Sequence, residues 1–137
     1  MKKLMLASMA ALITTSAWAD FPEKPITIIV PFAAGGPTDK VARDFAEGLR
    51  KQLGKPIIIE NAGGAGGTLG AAKASKAAPD GYTLLLTHSS MATSPSLYRT
   101  LQYKTEDFEY LGLINEVPMT LVGRSTLAAN NLSLIHI

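Results

Sequence analysis

The sequence predicts an α/β fold, a parallel sheet with flanking helices, and three observations carry that reading. Ile28-Ile29-Val30 and Ile57-Ile58-Ile59 are short β-branched runs with no polar alternation, as in strands covered on both faces. Each is followed by a glycine-rich stretch and then by a helical segment. A third apolar run, Thr83 to Thr87, arrives after the turn residues Pro79-Asp80-Gly81-Tyr82. Strands that alternate with helices connect by right-handed crossovers and build a parallel sheet.

Each element has its own justification. Phe21-Pro22-Glu23-Lys24-Pro25 reads as an extended lead-in to a first strand over Ile26 to Val30, which Pro31 stops because it has no N–H to donate. From Thr38 to Leu53, Val41, Ala42, Phe45, Ala46, Leu49 and Leu53 recur at helical spacing. Arg43, Asp44, Glu47, Arg50 and Lys51 fall on the opposite face, so this is an amphipathic surface helix capped at its start by Thr38. Gly54 and Pro56 end it. After the strand Ile57 to Ile59, an Ala- and Lys-rich helix runs from about Thr68 to Ala77. The third strand leads into a Ser/Thr-rich loop, His88 to Ser94. Beyond Pro95 the expectation is a short helix over Ser96 to Leu101, a helical start at Thr105 to Phe108, and strands over Tyr110 to Val117 and Met119 to Val122.

The N-terminus reads as an address rather than structure. Lys2 and Lys3 precede an apolar stretch from Leu4 to Ile13, and Ala17-Trp18-Ala19 is a small-x-small cleavage site. That stretch is well short of the ~20 residues a bilayer span needs. A mature chain would begin at Asp20 as a product not inserted in the membrane, with a bacterial periplasm as the expected compartment. The sequence has 13 Lys+Arg against 11 Asp+Glu; removal of Lys2 and Lys3 leaves the mature chain balanced. Such a balance gives no footprint for nucleic acid or for an anionic membrane surface. With no cysteine and only two histidines, His88 and His136, neither a disulfide framework nor a His/Cys metal centre is expected. The close Leu134-Ile135-His136-Ile137, apolar and without a polar tail, reads as a piece of a longer chain.

The chemistry lies in the two glycine loops. The run from Gly63 to Gly70 contains neither G-x-G-x-x-G nor G-x-x-x-x-G-K-[ST], and the chain has no G-x-S-x-G elbow. Nucleotide binding and α/β-hydrolase chemistry are set aside on those grounds. No cofactor and no catalytic residue is expected, although Asp39 or His88 would be the acid–base group of an alternative secreted enzyme. Ala34, Gly35, Gly36, Ala65, Gly66 and Gly67 carry almost no side chain, so recognition there runs through backbone N–H groups, with hydroxyls added by Thr38 and Thr68. Neighbouring parallel strands place both loops at one sheet edge, where α/β folds bind ligands. A carboxylate, which accepts several charge-assisted hydrogen bonds, suits such a cradle. Asp39 would support the first loop and could meet a ligand ammonium group.

The motifs resemble a known family. Pro25 to Gly36, Thr38-Asp39, Ala42-Arg43, Asn61 with Gly64 to Thr68, Ala78 to Leu84 and Pro95-Ser96-Leu97-Tyr98 are similar to the Bug receptors, periplasmic solute-binding proteins of tripartite tricarboxylate transporters. The resemblance runs from about Phe21 to Asn131. It implies the N-terminal part of a two-domain "Venus flytrap" that closes over a small carboxylate and delivers it, as a monomer, to membrane transporter subunits. Residues 1–19 would then be the signal peptide, 20–110 an incomplete first lobe, and 111–137 the crossover and the start of a second. On this resemblance Phe32, Ala33, Ala34, Gly35, Gly36, Thr38 and Asp39 form one clamp. Gly64, Ala65, Gly66, Gly67 and Thr68 form the other, and the loop with His88, Ser89 and Ser94 completes the wall. Ser94 stands where the family commonly has Asn, which leaves the ligand's identity open, as does a role in signalling rather than transport.

Overall fold

A computed structural model describes residues 21–118, 120 and 122–127. Three strands, β1 (Ile26–Val30), β2 (Ile57–Asn61) and β3 (Thr83–Leu85), form one sheet in the order β2-β1-β3. Both pairings are parallel, with Ile26 opposite Ile57 and Ile28 opposite both Ile59 and Leu84. The predicted α/β architecture is therefore present, with β1 at its centre. Ile26, Ile28, Ile29 and Val30 are almost completely buried, as a strand flanked and covered on both sides requires.

Three helices interleave with the strands: α1 (Pro37–Leu53), α2 (Thr68–Ser75) and α3 (Ser90–Leu97). Side chains alternate across the sheet and so divide the core in two. Ile28, Val30, Leu84 and Leu86 pack with Ala42 and Ala46 of α1, whereas Leu85 packs with Ala71 and Ala72 of α2, Met91 of α3 and Tyr103. On α1 the expected apolar face divides further. Ala42 and Ala46 are buried, but Phe45 at the rim of the stripe is 38% exposed.

Helix ends follow local chemistry. Pro37 occupies the first turn of α1 and Gly36 is its N-cap, so the helix begins one residue before Thr38 and no side chain caps it. Gly54 closes it in the left-handed region at φ 64°, its N–H donating to the Arg50 carbonyl. The turn before β3 is also held by side chains. The Asp80 carboxylate accepts the Tyr82 N–H at 3.0 Å and the Lys24 ammonium at 3.1 Å, while Phe21 packs on the Tyr82 ring.

Two expectations beyond β3 are corrected. His88 to Ser94 is not a loop followed by a helix after Pro95; α3 starts at Ser90 and carries Pro95 in its last turn. Pro95 costs one backbone donor there, and burial of Met91 against α2 and Tyr103 sustains the short helix around it. Tyr110 to Val117 forms no strand, and Tyr110, Leu111, Leu113 and Val117 are largely exposed. Strand propensity there has no ladder partner among the described residues, and an unpaired strand has nothing to satisfy its backbone. Met119 and Leu121 lie outside the described residues, as do residues 1–20, which hold the expected signal peptide, and the close of the chain from Ala128.

The tightest packing lies where α2 crosses the end of β1. A Cβ on Gly70 would stand 2.6 Å from the Ala62 carbonyl oxygen and 2.8 Å from Pro31 Cα. These are main-chain atoms that cannot swing aside. Gly70→Ala is therefore expected to lower stability by about 1–3 kcal/mol despite alanine's better helix propensity, measured by urea unfolding of the complete gene product.

Candidate functional site

The parallel pairing of β1 with β2 puts the two glycine loops side by side at the carboxyl edge of the sheet. The first spans Phe32 to Gly36, between β1 and α1. The second spans Ala62 to Gly67 and ends in a short 3-10 turn, Ala65–Gly67, that runs directly into α2.

A buried charge ties the loops together. Asp39 is 2% exposed, and its Oδ2 accepts the Gly35 N–H at 2.8 Å and the Arg43 Nε–H at 2.8 Å. Its Oδ1 accepts the Asn61 Nδ2–H at 2.9 Å, and the same amide reaches the Phe32 carbonyl at 3.2 Å. The Arg43 guanidinium also lies 3.4 Å from Asn61 Oδ1. Hydrogen bonds from Arg43, Gly35 and Asn61 hold the Asp39 carboxyl well below the usual carboxylate range, burial opposing them. With both oxygens occupied and almost no exposed surface, Asp39 is a structural anion. It is not available as an acid–base group or as a partner for a ligand ammonium.

The second loop is built on positive φ. Gly64, Ala65, Gly66 and Gly67 have φ of 135°, 47°, 64° and 96°. The Gly67 N–H donates to the Gly64 carbonyl at 3.0 Å. Three donors converge on the Ala65 carbonyl, namely the Thr68 N–H, the Thr68 hydroxyl at 2.9 Å and the Tyr98 hydroxyl at 3.0 Å.

The bare-amide picture of the loops is thereby corrected in part. Gly35 donates to Asp39, Gly36 to the Ala33 carbonyl at 3.3 Å and Gly67 to Gly64, so those three amides face inward. Among the described residues no group accepts the N–H of Ala33, Ala34, Gly63, Gly64, Ala65 or Gly66, and all six residues are exposed. These six form the open donor set. Thr38, half-buried, makes no side-chain cap, and the Thr68 hydroxyl is spent on Ala65.

Aromatic rings wall the rim. Phe32 stacks on His88 with centroids 4.3 Å apart and planes 16° from parallel. The Phe32 ring also lies under Gly67, where a Cβ would meet it at 3.2 Å. His88 Nδ1 accepts the Ser90 N–H at 3.3 Å, and Ser89 is exposed just before α3. Ser94 is a different case: at 3% exposure it is buried in α3, not part of an open wall. Sequence reasoning missed Asn61, Arg43 and Tyr98 as parts of the site. Their spacing in the chain gives no sign that they converge. Among the described residues there is no cluster of His, Cys, Asp or Glu fit for a metal, and no helix is long and apolar enough to cross a membrane.

Comparison with known proteins follows from this geometry. The sequence profile of the family described as "TctC: Tripartite tricarboxylate transporter family receptor" matches residues 41–135. The chain belongs to the tripartite tricarboxylate transporter receptor family. A relative from Agrobacterium vitis, the UPF0065 protein in the TAR-I ttuE-ttuC' intergenic region, is 57% identical over 108 residues, which is 78% of this chain and 31% of that protein. Among solved receptors, the periplasmic binding protein BugD superposes with a TM-score of 0.60 at 52% identity, covering 62% of this chain and 28% of BugD. MatC from Rhodopseudomonas palustris, solved with bound malate, superposes with a TM-score of 0.55 at 46% identity, covering 64% of this chain and 31% of MatC. The chain thus spans about a third of the length of the receptor family members it matches.

The buried anion makes two measurable demands. Asn61→Ala removes the donor to both Asp39 Oδ1 and the Phe32 carbonyl, and is expected to cost about 1–3 kcal/mol in urea unfolding. Asp39's folded-state pKa lies below its unfolded value, so its contribution is complete above about pH 4 and drains away as the pH falls below that. The stability gap between wild type and Asp39→Asn should accordingly be constant from pH 7 to 5 and narrow towards pH 3. A gap that stays constant to pH 3 would show that the carboxylate's charge is not what the web holds.

Proposed function

We propose that this chain forms the first lobe of a periplasmic receptor that captures a small dicarboxylate for a tripartite tricarboxylate transporter. The observation that carries the reading is the pair of loops on adjacent parallel strands, with the unspent N–H groups of Ala33, Ala34, Gly63, Gly64, Ala65 and Gly66 at one rim. An N–H that no protein acceptor uses is paired with water in the free protein and is ready for exchange with an oxyanion. A set of such groups suits a carboxylate, whose oxygens accept several charge-assisted bonds. The malate bound to MatC is a dicarboxylate, consistent with that chemistry.

In this reading Phe32 to Asp39 supplies one clamp and Gly64 to Thr68 the other. The Phe32–His88 stack and Ser89 flank them, and Asp39 acts only by holding the first loop. Residues 1–19 are the signal peptide that directs the chain to the periplasm. Residues 20–110 form the first lobe, and 111–137 begin the crossover to a second. Closure of that second lobe over the ligand would produce the form a membrane partner recognises, and the receptor works as a monomer.

Calorimetric titration of the complete gene product with malate and with C4 to C6 dicarboxylates tests this. Saturable binding without turnover is expected. Gly36→Val and Gly66→Val should each weaken it at least tenfold with the melting transition retained, because the first crowds the Ala33 carbonyl at 3.2 Å and the second cannot hold φ 64°. Absence of binding for the whole panel, or unchanged affinity in both variants, would remove the reading.

A further inference from the structure

Ala65 is the one non-glycine residue with positive φ among the described residues, and it is the second of four consecutive positive values. A left-handed alanine is strained, and such strain persists only where surrounding contacts over-determine it. The contacts are all on one atom. The Ala65 carbonyl accepts the Thr68 N–H, the Thr68 hydroxyl and, from thirty-three positions along the chain, the Tyr98 hydroxyl. Tyr98 stands at the end of α3, so its hydroxyl is delivered by a different element from the loop it touches.

A trans peptide plane fixes its C=O and N–H in opposite directions. The Ala65 carbonyl and the Gly66 N–H belong to one such plane. A carbonyl drawn towards Thr68 and Tyr98 therefore aims the Gly66 N–H away from them, and among the described residues no group accepts that N–H. Rotation of this plane would reverse the donor and present a carbonyl oxygen to an incoming anion. Glycine at position 66 leaves the plane free to rotate, so the orientation depends on what grips the carbonyl. Local bonds from Thr68 travel with the loop, whereas Tyr98 anchors it to α3.

We infer that Tyr98 is a positioning residue: its hydroxyl locks the Ala65–Gly66 peptide so that the Gly66 N–H stays turned to the carboxylate, a role that rests on the receptor reading above. Tyr98 need not touch the ligand. Its hydroxyl lies close to Gly66, where a Cβ would meet it at 2.7 Å, so it also explains why no side chain is accommodated there.

The test compares wild type with Tyr98→Phe, which keeps the ring and loses the hydroxyl, and with Tyr98→Leu as a second hydroxyl-free variant. In the ligand-free, 15N-labelled complete gene product, the Gly66 amide should be quiet in relaxation dispersion in wild type. It should show microsecond–millisecond exchange in both variants. Malate affinity, or that of the dicarboxylate that binds wild type best, should fall roughly three- to tenfold. A Gly66 amide that stays quiet overturns the lock, and exchange with unchanged affinity overturns its role in binding. If wild type binds no dicarboxylate, the receptor reading fails by itself, and the ligand-free amide still decides whether the lock exists.

Discussion

The contact on which the loop geometry depends is the one between the Asp39 carboxylate and donors drawn from three parts of the chain. Burying a charge is costly unless every lone pair finds a partner. Asp39 meets that demand with the loop amide of Gly35, the guanidinium of Arg43 one helical turn on, and the side-chain amide of Asn61 at the end of the neighbouring strand. It lies in the first turn of α1, where the helix dipole also favours a negative charge. Because Asn61 also holds the Phe32 carbonyl, the ends of β1 and β2 are bound to each other through side chains where the ladder stops. The first loop cannot move without stripping a donor from a buried anion.

The two loops solve the same problem by different means. The first is fixed by a charge beneath it; Gly35 donates to that charge and Gly36 to the Ala33 carbonyl, leaving Ala33 and Ala34 as its open donors. The second has no such charge beneath it among the described residues. It is folded by successive positive φ values and gripped at the Ala65 carbonyl, which leaves Gly63, Gly64, Ala65 and Gly66 open. Glycine in this rim is therefore not a uniform supply of amides. Some glycines make the turn possible, and the residues beside them carry the donors.

What could be read in the sequence was whatever depends on neighbours in the chain. The strand Ile26 to Val30, the helix stop at Gly54 and the turn Pro79 to Tyr82 follow from residue types within a few positions, and the structure has each of them. The parallel order follows from the alternation of strands and helices, and with it the placing of both loops on one edge. Long-range partners were not legible. Nothing in the spacing says that Asn61 will reach Asp39, or that Tyr98 will reach Ala65. The same limit explains α3, expected as a loop up to Ser94 with a helix over Ser96 to Leu101, although Met91 packs well enough to start the helix at Ser90 and carry it through Pro95. It also explains Tyr110 to Val117, whose residues favour a strand that has no described neighbour to pair with.

Magnitudes say what such a rim can do alone. The roughly four hydrogen bonds that a carboxylate can accept are worth about 1.5–3 kcal/mol each, which together is of the same order as the roughly 4–15 kcal/mol that association itself costs. The open donors all lie on exposed residues, so water competes for them and the lower end of that range applies. A micromolar complex needs about 8 kcal/mol of surplus. On the proposed function, therefore, the rim would orient a carboxylate but would not retain one. Retention at that level would require a second surface that excludes water from the same amides, strengthening each bond and adding its own contacts. A receptor built on this lobe would hold its ligand only when closed, and that coupling is what would let a membrane partner distinguish the loaded form from the empty one.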